Sequence, residues 1–418
     1  MSPIPQSVVI IGGGLGGAKA AEALREQGFS GSITLISNEA DAPYERPPLS
    51  KGYLAGRSPF EDAVVHPLQW YVEHDVDLRL STTATSLDSD EHTVTLSDGT
   101  TLPYDKLLLA TGAVPRVLAV PGADAENVLY LRRRDDADAI RATFGGGHQL
   151  VIIGAGWIGL EVAAAARDAD TEVAIVEMAE LPLLGVLGPE IARVFADLHT
   201  SRGVQLHMGA ALEVITLDDR GRANGVRLAD GTLISADAVV VGIGVSPDVA
   251  LAEAAGLATD NGVLVDAALR TSDPDIFAVG DIANHAHPSL GIRVRVEHWA
   301  TALKQPAVAV AAMLGSDDAD GIYSELPYFF SDQYDLGMEY FGHAARHDKY
   351  QLVVRGDLAS REFVAFWLDE ASRIKAVLNV NVWDVIDAVK PLILAGTAVE
   401  PARLSDPQVA YRELAGSG

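Results

Sequence analysis

The stretch Val8-Val9-Ile10-Ile11-Gly12-Gly13-Gly14-Leu15-Gly16-Gly17 decides how the first part of this 418-residue chain folds. Its four apolar residues predict a buried strand, its glycines predict a tight turn, and the segment Ala18 to Arg25 that follows has the composition of a helix. A second apolar run, Ile33 to Ser37, comes next. These residues together predict a β-α-β unit with a glycine-rich turn after its first strand.

The same pattern recurs 142 residues later. The strand Leu150 to Ile153 leads into Gly154-Ala155-Gly156-Trp157-Ile158-Gly159, then a helix from Leu160 to Arg167 and the strand Glu172 to Glu177. In a G-x-G-x-x-G turn the first glycine makes the bend, the second lets backbone N–H groups approach a pyrophosphate, and the third permits close helix–strand packing. Two such turns, each between a strand and a helix, predict two dinucleotide sites.

An acidic residue follows the second strand of each unit. Glu39 lies at about the distance at which a dinucleotide fold places its ribose-binding acid, and Glu177 lies 18 residues after Gly159. A carboxylate there accepts hydrogen bonds from an adenosine ribose and repels a 2′-phosphate, so Glu177 favours NADH over NADPH. The alternative is that Glu177 only ends a strand in water.

Further segments extend both units. Leu107 to Ala113 and Val239 to Gly244 are strands that lead into turns of small residues, and Ile276 to Ala283 predicts a buried strand that delivers Gly280 and Asp281 to a helix start. Such a geometry suits the polar tail of a cofactor. Alternation around an Asp-Gly pair predicts a β hairpin in each unit, at Thr93 to Thr100 and at Val226 to Ile234.

The character of the chain changes near Tyr328. Aromatic and alternating segments such as Glu362 to Leu368 predict antiparallel strands, and Trp383 to Leu394 predicts an amphipathic helix. We therefore expect a separate α+β domain. The last residues, 395–418, are rich in proline and polar side chains and are expected to pack only in part.

Composition excludes several classes of protein. Lys and Arg total 31 against 58 Asp and Glu, and the net charge of −27 would repel a nucleic acid. The chain has no cysteine, so this polypeptide carries no disulfide, thiolate nucleophile, zinc–thiolate site or cysteine-ligated iron–sulfur cluster, and no metal site is predicted. No stretch is apolar enough to span a bilayer and no basic run precedes the first strand, so we expect a cytoplasmic protein without a membrane contact.

Several longer motifs carry a resemblance to a known family. They are Pro43 to Lys51, Leu131-Arg132, Gly154 to Glu161, Gly242 to Pro247, Asp260 to Asp266, Val296 to Trp299, Ser331 to Tyr334 and Asn379 to Asp384. With them the chain resembles, over nearly its whole length, the FAD-dependent pyridine nucleotide-disulfide oxidoreductases. Within that superfamily it is similar to the ferredoxin (redoxin) reductases of bacterial Rieske dioxygenase and haem-thiolate monooxygenase systems.

The resemblance implies an α/β fold with two Rossmann-like dinucleotide-binding domains and a C-terminal α+β domain, a glutathione-reductase-like architecture without the redox disulfide. The FAD domain would comprise residues 1–113 and 240–327, the NADH domain 114–239 and the C-terminal domain 328–418. The implied FAD-binding residues are Gly12, Gly14, Leu15, Gly16, Gly17, Glu39, Arg46, Lys51, Ala84, Thr111, Gly112, Arg132, Gly280, Asp281, Glu297, His298 and Trp299. The implied NADH-binding residues are Gly154, Gly156, Trp157, Ile158, Gly159, Glu161, Glu177, Gly242, Ile243 and Gly244.

The resemblance also places Lys51 and Glu161 near the N5 side of the flavin as the catalytic pair. A buried Lys–Glu pair there would stabilise the cavity and tune hydride acceptance, and the alternative is an ion pair with a structural role only. The chain departs from the family where relatives carry arginines after the acid, since Glu177 to Gly185 has none. It also has Phe329-Phe330 where relatives tend to have tryptophan, and Asn38 where an acid is frequent.

The missing cysteines narrow the expected function. Relatives of this fold that reduce disulfides or form a sulfenate need cysteine, so hydride taken from NADH onto FAD must leave this chain as electrons. A [2Fe-2S] ferredoxin that feeds a monooxygenase or dioxygenase is the expected acceptor, because a flavin can release two electrons one at a time. The alternatives are a rubredoxin or monodehydroascorbate reductase, and an apoptosis-inducing-factor-like NADH-responsive flavoprotein.

A ferredoxin is usually acidic, so its approach to this acidic chain requires a local basic patch. Arg293, Arg295 and Lys304 are the candidate partner-binding residues. The alternative is that these three charges belong to an ordinary solvated face.

Overall fold

The computed structural model describes residues 5–315, 321–344 and 349–414. The chain divides into two compact units, the first formed by residues 1–47, 59–114 and 245–325 and the second by residues 48–58, 115–244 and 326–418. A five-stranded parallel sheet lies in each unit. The mixed α/β fold with two Rossmann-like sheets is thereby confirmed.

The strands in chain order are β1 (Ser7–Ile11), β2 (Ser32–Ile36), β3 (Val76–Arg79), β4 (Ala84–Asp88), β5 (Thr93–Leu96), β6 (Thr101–Pro103), β7 (Lys106–Leu109), β8 (Ala113–Pro115), β9 (Val128–Tyr130), β10 (Gln149–Ile153), β11 (Glu172–Glu177), β12 (Gln205–Met208), β13 (Leu212–Leu217), β14 (Ala223–Leu228), β15 (Leu233–Ser235), β16 (Ala238–Val241), β17 (Val245–Pro247), β18 (Val263–Val265), β19 (Ile276–Ala278), β20 (Ala283–His287), β21 (Ile292–Val294), β22 (Tyr328–Gln333), β23 (Leu336–Gly342), β24 (Gln351–Asp357), β25 (Glu362–Leu368) and β26 (Ile374–Val380). The helices are α1 (Leu15–Glu26), α2 (Leu68–Glu73), α3 (Arg134–Arg141), α4 (Trp157–Asp168), α5 (Leu184–Ser201), α6 (Ala250–Ala254), α7 (Trp299–Met313), α8 (Val385–Ala395) and α9 (Pro401–Ser405).

The first unit is organised around a parallel sheet with the strand order β19-β7-β1-β2-β3. Its central strands are continuous apolar runs that are buried along almost their whole length, as expected for strands covered on both faces. Helices α1 and α7 pack against each other in this unit. The three-stranded sheet β4-β5-β6 contains the first predicted hairpin, in which Thr95 pairs with Thr101.

The second unit repeats this design and adds an antiparallel sheet. Its parallel sheet has the order β12-β11-β10-β16-β9, and the predicted hairpin within it pairs Val226 of β14 with Ile234 of β15. From β22 onward the chain forms a five-stranded antiparallel sheet, β22-β23-β26-β25-β24, followed by α8 and α9. The predicted α+β character of this part is confirmed.

The structure corrects three local predictions. Gly280 and Asp281 do not begin a helix: residues Gly280–Ile282 form one 3₁₀ turn and the chain continues as β20. Helix α4 begins at Trp157 rather than Leu160, because Gly156 is its N-cap. Helix α8 begins two residues later than predicted, because Asp384 takes a left-handed conformation with φ 61° before it.

No helix of the described residues is both long and apolar enough to cross a membrane.

A buried histidine of the first unit makes the stability depend on pH. His285 on β20 is 2% exposed and its ring lies 5.2 Å from that of Tyr323 and 5.3 Å from that of His287. Burial, with the neighbouring His287, lowers the pKa of His285 from its ordinary 6.5 to about 4. Between these values the unfolded chain binds a proton that the folded chain does not, so stability falls as the pH drops from 6.5 to 4.

We expect the His285→Leu variant to lose this part of the acid sensitivity. The full window corresponds to about 3 kcal/mol in the free energy of unfolding, at about 1.4 kcal/mol per pH unit. Urea denaturation at pH 7 and pH 5 measures it, with His148→Gln in an exposed turn as the control. Equal pH slopes in the wild type and in His285→Leu would contradict the assignment.

Candidate functional site: two glycine turns and a buried ion pair

The glycine turn after β1 meets the requirements of a pyrophosphate site. A Cβ at Gly12 would lie 2.2 Å from the Ala110 carbonyl oxygen, and one at Gly17 would lie 2.0 Å from the Gly12 carbonyl oxygen. A Cβ at Gly14 would meet no atom within 4 Å, although Gly14 is the N-cap of α1. Packing therefore requires the first and third glycines, and the second leaves open space at the N–H groups of a helix start.

The turn after β10 has the same geometry. A Cβ would lie 2.4 Å from the Gly242 carbonyl oxygen at Gly154, and 2.2 Å from the Gly154 carbonyl oxygen at Gly159. A Cβ at Gly156, the N-cap of α4, would again meet nothing within 4 Å. Each unit thus carries a cradle of the shape that a dinucleotide pyrophosphate needs.

The first unit brings several predicted FAD residues to one edge of its sheet. Because β1, β7 and β19 are parallel and paired in register, the residues after their carboxyl ends lie side by side. The Ala110 N–H donates to the Ile11 carbonyl at 2.8 Å, and the Val279 N–H donates to the Leu109 carbonyl at 3.0 Å. The residues gathered there are Gly12 to Gly17, Thr111, Gly112, Gly280 and Asp281.

Helix α7 lies against this edge. The Gly280 N–H donates to Oε1 of the buried Gln305 at 2.8 Å, so the helix holds the turn that carries Asp281. Glu297 and Trp299 flank His298, the N-cap of α7, whose Nδ1 accepts from the Ala300 N–H at 3.3 Å. The predicted residues of this motif therefore lie at the helix start.

Glu39 contacts a cation in the same unit. Its Oε1 lies 2.7 Å from a guanidinium nitrogen of Arg46, and the Tyr44 hydroxyl donates to its other oxygen. Burial by itself would lower the pKa of Arg46, but Tyr44, Glu39 and Asp281 outweigh it and raise that pKa. Arg46 and Asp281 are thus close enough to interact electrostatically.

Ala84 begins β4, and the segment just before it is bonded to the residues after β2. The Thr82 N–H donates to the Ser37 carbonyl at 2.8 Å, and the Ser81 N–H donates to the Glu39 carbonyl at 2.9 Å. Ala84 and Glu39 therefore belong to one neighbourhood of the unit.

Glu177 stands directly beside the second glycine turn. Its two carboxylate oxygens accept from the N–H groups of Ala155 at 2.8 Å and Ala179 at 2.9 Å. Strand register makes Ser37 the residue of the first unit that is equivalent to Glu177, because Ile11 pairs with Ile36 and Ile153 pairs with Val176. Glu39 lies two residues beyond that position.

The remaining predicted NADH residues surround the same turn. Gly242, Ile243 and Gly244 follow β16, the neighbour of β10, and the Gly242 N–H donates to the Ile153 carbonyl at 2.8 Å. The Trp157 ring lies 5.7 Å from Phe195 and 5.2 Å from Phe329, whereas Ile158 is 43% exposed. Arg132 follows β9, the next parallel strand of the same sheet.

Lys51 and Glu161 form a buried ion pair in the second unit. The Lys51 ammonium lies 2.7 Å from Oε1 of Glu161 on α4, and the carboxylate side chain is 2% exposed. Ser331 donates to the same oxygen at 2.6 Å, and Ser50 donates to Oε2. The two residues that the resemblance paired are therefore in contact, and two serine hydroxyls satisfy the rest of the carboxylate.

Sequence reasoning did not find these serines, nor the buried side chains behind them. Ser331 and Gln333 are two residues apart on β22, and that period of two places both on one face of the strand. This alternation was the available signal. His199, which contacts Gln333, carried none because 134 residues separate the two.

The three candidate partner-binding cations all have partners within the first unit. Arg293 donates to two backbone carbonyl oxygens at 2.9 Å, and Arg295 lies 2.6 Å from Glu297 with a side chain 8% exposed. Lys304 lies 3.4 Å from Glu325 and remains 46% exposed. Their role in docking stays a prediction, and Lys304 is the most exposed of the three side chains for which a side-chain value bears on it.

The chain is similar to known proteins along almost its whole length. Residues 6–306 match the model of the pyridine nucleotide-disulphide oxidoreductase family, and residues 328–415 match a reductase C-terminal domain. The ferredoxin–NAD(+) reductase component of the anthranilate 1,2-dioxygenase system of Burkholderia cepacia is 41% identical over 407 residues, which are 97% of this chain and 98% of the relative. Putidaredoxin reductase of Pseudomonas putida is 38% identical over 98% of this chain and 96% of its own.

Solved structures agree with these matches. In the covalent putidaredoxin reductase–putidaredoxin complex, a chain superposes with a TM-score of 0.93 at 36% identity, and the match covers 98% of both chains. Members of this family use FAD and NAD(H), and the open cradles at Gly14 and Gly156 fit two dinucleotides. The chain therefore belongs to the pyridine nucleotide-disulphide oxidoreductase family and is an oxidoreductase.

Proposed function

We propose that this protein is an FAD-dependent NADH:ferredoxin reductase that takes hydride from NADH and passes single electrons to a [2Fe-2S] ferredoxin. The observation that carries the proposal is the pair of glycine cradles in a chain with no cysteine. Two cradles supply sites for a hydride donor and for a flavin. Without cysteine, the electrons have no disulfide or sulfenate to reduce within this polypeptide and must leave it.

The relatives support the choice of acceptor. The Burkholderia relative is named as a ferredoxin–NAD(+) reductase component of a dioxygenase system, and the Pseudomonas relative is named as a putidaredoxin reductase. The ferredoxin would in turn feed a monooxygenase or dioxygenase. The three-domain division at residues 113, 239 and 327 and a cytoplasmic location are part of the proposal.

Bound FAD would supply the chemistry that accepts two electrons together and releases them one at a time. The N–H groups at the start of α1 would hold its pyrophosphate, and those of α4 that of NADH. Arg46 would supply positive charge close to Asp281. Glu177 would accept the ribose hydroxyls of NADH, since its carboxylate is already held at the turn by two backbone N–H groups.

Lys51 would present its ammonium to the flavin, and Glu161 would hold that ammonium in place. The Lys51 side chain is 15% exposed and lies 5.3 Å from the Phe330 ring, which also restricts it. Phe330 and Phe329 stand where relatives tend to carry a tryptophan, so any aromatic contact to the flavin here lacks an indole N–H.

Anaerobic reduction followed by reoxidation tests the proposal. The purified yellow holoprotein is titrated with NADH and then mixed in a stopped-flow instrument with a [2Fe-2S] ferredoxin at low and high salt. Rapid bleaching and rapid, salt-sensitive reoxidation are expected. A long-lived NADH complex that the ferredoxin does not discharge would refute the proposal and favour an NADH-responsive flavoprotein or another acceptor.

Replacing Glu177 by glutamine is expected to weaken the preference for NADH. The variant loses the charge that repels a 2′-phosphate and one of the two acceptors for backbone N–H groups. We expect the ratio of kcat/KM for NADH to that for NADPH to fall about tenfold, equivalent to about 1.4 kcal/mol. Steady-state assays with both coenzymes measure this ratio, with Glu172→Gln at the exposed start of β11 as the control.

An unchanged ratio in Glu177→Gln would show that Glu177 only fastens the turn. The loss of both coenzyme activities with normal FAD content would instead show that the turn itself had been disturbed.

A further inference from the structure

The Glu161 carboxylate is the end of a chain of buried hydrogen bonds in the second unit. Its Oε1 accepts from the Ser331 hydroxyl at 2.6 Å, and Nε2 of Gln333 donates to that hydroxyl at 3.1 Å. Nε2 of His199 lies 2.9 Å from Oε1 of Gln333. Ser331, Gln333 and His199 are each 0% exposed, so water does not compete for these bonds.

Every donor in this chain points toward Glu161. A carboxylate in an ion pair only accepts, so the Ser331 proton is committed to it and the Ser331 oxygen is left to accept from Gln333. The Gln333 carbonyl oxygen must then accept from His199, which places the proton of the neutral imidazole on Nε2. Nδ1 of His199 remains an acceptor and faces the Tyr334 hydroxyl at 3.4 Å.

His199 keeps this arrangement at neutral pH. Burial lowers its pKa from 6.5 to about 4, although the bond to Gln333 opposes the shift. Above that range the imidazole is neutral and Nδ1 can accept a hydrogen bond. No acidic side chain contacts the ring in the described residues, and its titratable neighbour is Tyr334, whose pKa burial raises.

The far end of the chain is anchored by a strained residue. Tyr334 lies in the two-residue turn between β22 and β23 with φ 55°, a conformation that disfavours an aromatic residue. Its ring stacks at 5.3 Å on His199, and the Arg202 guanidinium lies 5.1 Å from it. Such strain persists only where surrounding contacts hold it, and it is typical of functional sites.

We propose that Ser331, Gln333 and His199 are positioning residues that hold Glu161 ionised and aim its Oε1 at the Lys51 ammonium. This inference rests on the proposed function, which sets Lys51 beside the flavin. The chain transmits orientation rather than protons, because the Gln333 amide at its centre does not take up and release a proton at neutral pH. Its effect on catalysis passes through Lys51.

Two substitutions break the chain at different points. Ser331→Ala removes a donor from the carboxylate, and Gln333→Leu separates His199 from Ser331 at similar side-chain volume. The matched control is Tyr328→Phe, which deletes a hydroxyl on the same strand that donates to Glu339 at 2.8 Å. Ser331→Thr, which keeps a hydroxyl, is the conservative variant expected to restore function.

The first readout does not depend on activity. In ¹H–¹⁵N spectra of the histidine side chains, His199 of the holoprotein is expected to carry its proton on Nε2 and to stay neutral at pH 5. Gln333→Leu is expected to lose the fixed tautomer. Rapid tautomer exchange of His199 in the wild type would overturn the inference, whatever the protein does with NADH.

The second readout is the rate of flavin reduction by NADH in single turnovers between pH 5 and pH 8. We expect Ser331→Ala and Gln333→Leu to be about three- to tenfold slower at pH 7 and to become more sensitive to acid, with the KM for NADH unchanged. Tyr328→Phe is expected to match the wild type. If both chain variants fold and keep the wild-type rate and pH profile, the inference is wrong.

The two levels of the argument fail differently. A wild-type protein that NADH does not reduce would refute the proposed function, and the tautomer measurement would still decide whether the chain exists. If Gln333→Leu does not fold, Ser331→Ala and Ser331→Thr carry the test, because they change the end of the chain that touches the carboxylate.

Discussion

Replacing Gly14 by alanine is expected to weaken FAD binding about 10- to 100-fold while the protein still folds. The backbone at Gly14 has φ −85° and ψ −170°, which alanine adopts without strain, and the added methyl group would meet no protein atom within 4 Å. The methyl group would occupy the open space in which a pyrophosphate approaches the start of α1. Overpacking of such a contact costs about 1–3 kcal/mol.

Gly156→Ala is the matched experiment in the second unit. Its backbone is equally permissive, at φ −79° and ψ −178°, so this variant is expected to keep its FAD and to show a higher KM for NADH. Gly146→Ala in an exposed turn controls for the substitution itself. Flavin content, circular dichroism and steady-state kinetics measure the three variants.

Two outcomes would contradict this assignment of cofactors to units. Normal FAD binding by Gly14→Ala would show that no pyrophosphate approaches the first turn. Loss of FAD from Gly156→Ala with Gly14→Ala unaffected would show that the two sites are exchanged.

Breaking the ion pair at Glu161 is expected to lower both stability and turnover. Glu161→Leu leaves the Lys51 ammonium 15% exposed without its counter-ion, and it removes the acceptor of two serine hydroxyls. Removing one partner of a buried pair typically costs about 3–5 kcal/mol in the free energy of unfolding. We also expect flavin reduction to slow about 100-fold, as when a preorganised charged group is lost from an active site.

The double variant Lys51→Met/Glu161→Leu separates the structural role from the catalytic one. Replacing both charges by apolar side chains is expected to recover most of the stability, because no uncompensated charge remains. Turnover is expected to stay low, since the ammonium is absent. Recovery of both stability and rate would show that the pair is an ion pair with a structural role only. Urea denaturation and stopped-flow reduction of the holoprotein give the two quantities.

Local patterns predicted the glycine turns because their requirements are local. Gly12 has φ 122° and Gly154 has φ 106°, and a side chain at either would strike a backbone oxygen of the neighbouring strand. A strand, such a turn and a helix can therefore be recognised within about 15 consecutive residues. The hairpins around Asp-Gly pairs were predicted for the same reason.

The prediction for Gly280 and Asp281 was wrong because the pattern of a strand followed by Gly-Asp does not say what comes next. In the structure Ala283 to His287 pairs with β18 and β21, so the chain leaves the turn as a strand. The Gly280 N–H is satisfied by Gln305 of α7 instead of by the start of a new helix. Pairing with distant strands decided the outcome.

The predicted docking residues show a similar limit. Sequence proximity placed two arginines and a lysine together, but Arg295 bonds to Glu297 and the Asp281 carbonyl oxygen, and Arg293 bonds to two carbonyl oxygens. Whether an arginine faces solvent or satisfies backbone carbonyls depends on which loops fold over it. Periodicity in the sequence carries no such information.

The amino-acid sequence by itself determined the two dinucleotide units, the antiparallel C-terminal part and the absence of any cysteine chemistry, because strand periodicity, turn glycines and composition are properties of short segments or of the whole chain. Only the tertiary structure decided what surrounds Glu161. Its partners Ser50 and Ser331 are 111 and 170 residues away along the chain. Contacts at that separation depend on how helices and sheets pack, because a buried carboxylate must be satisfied by whichever donors packing brings to it.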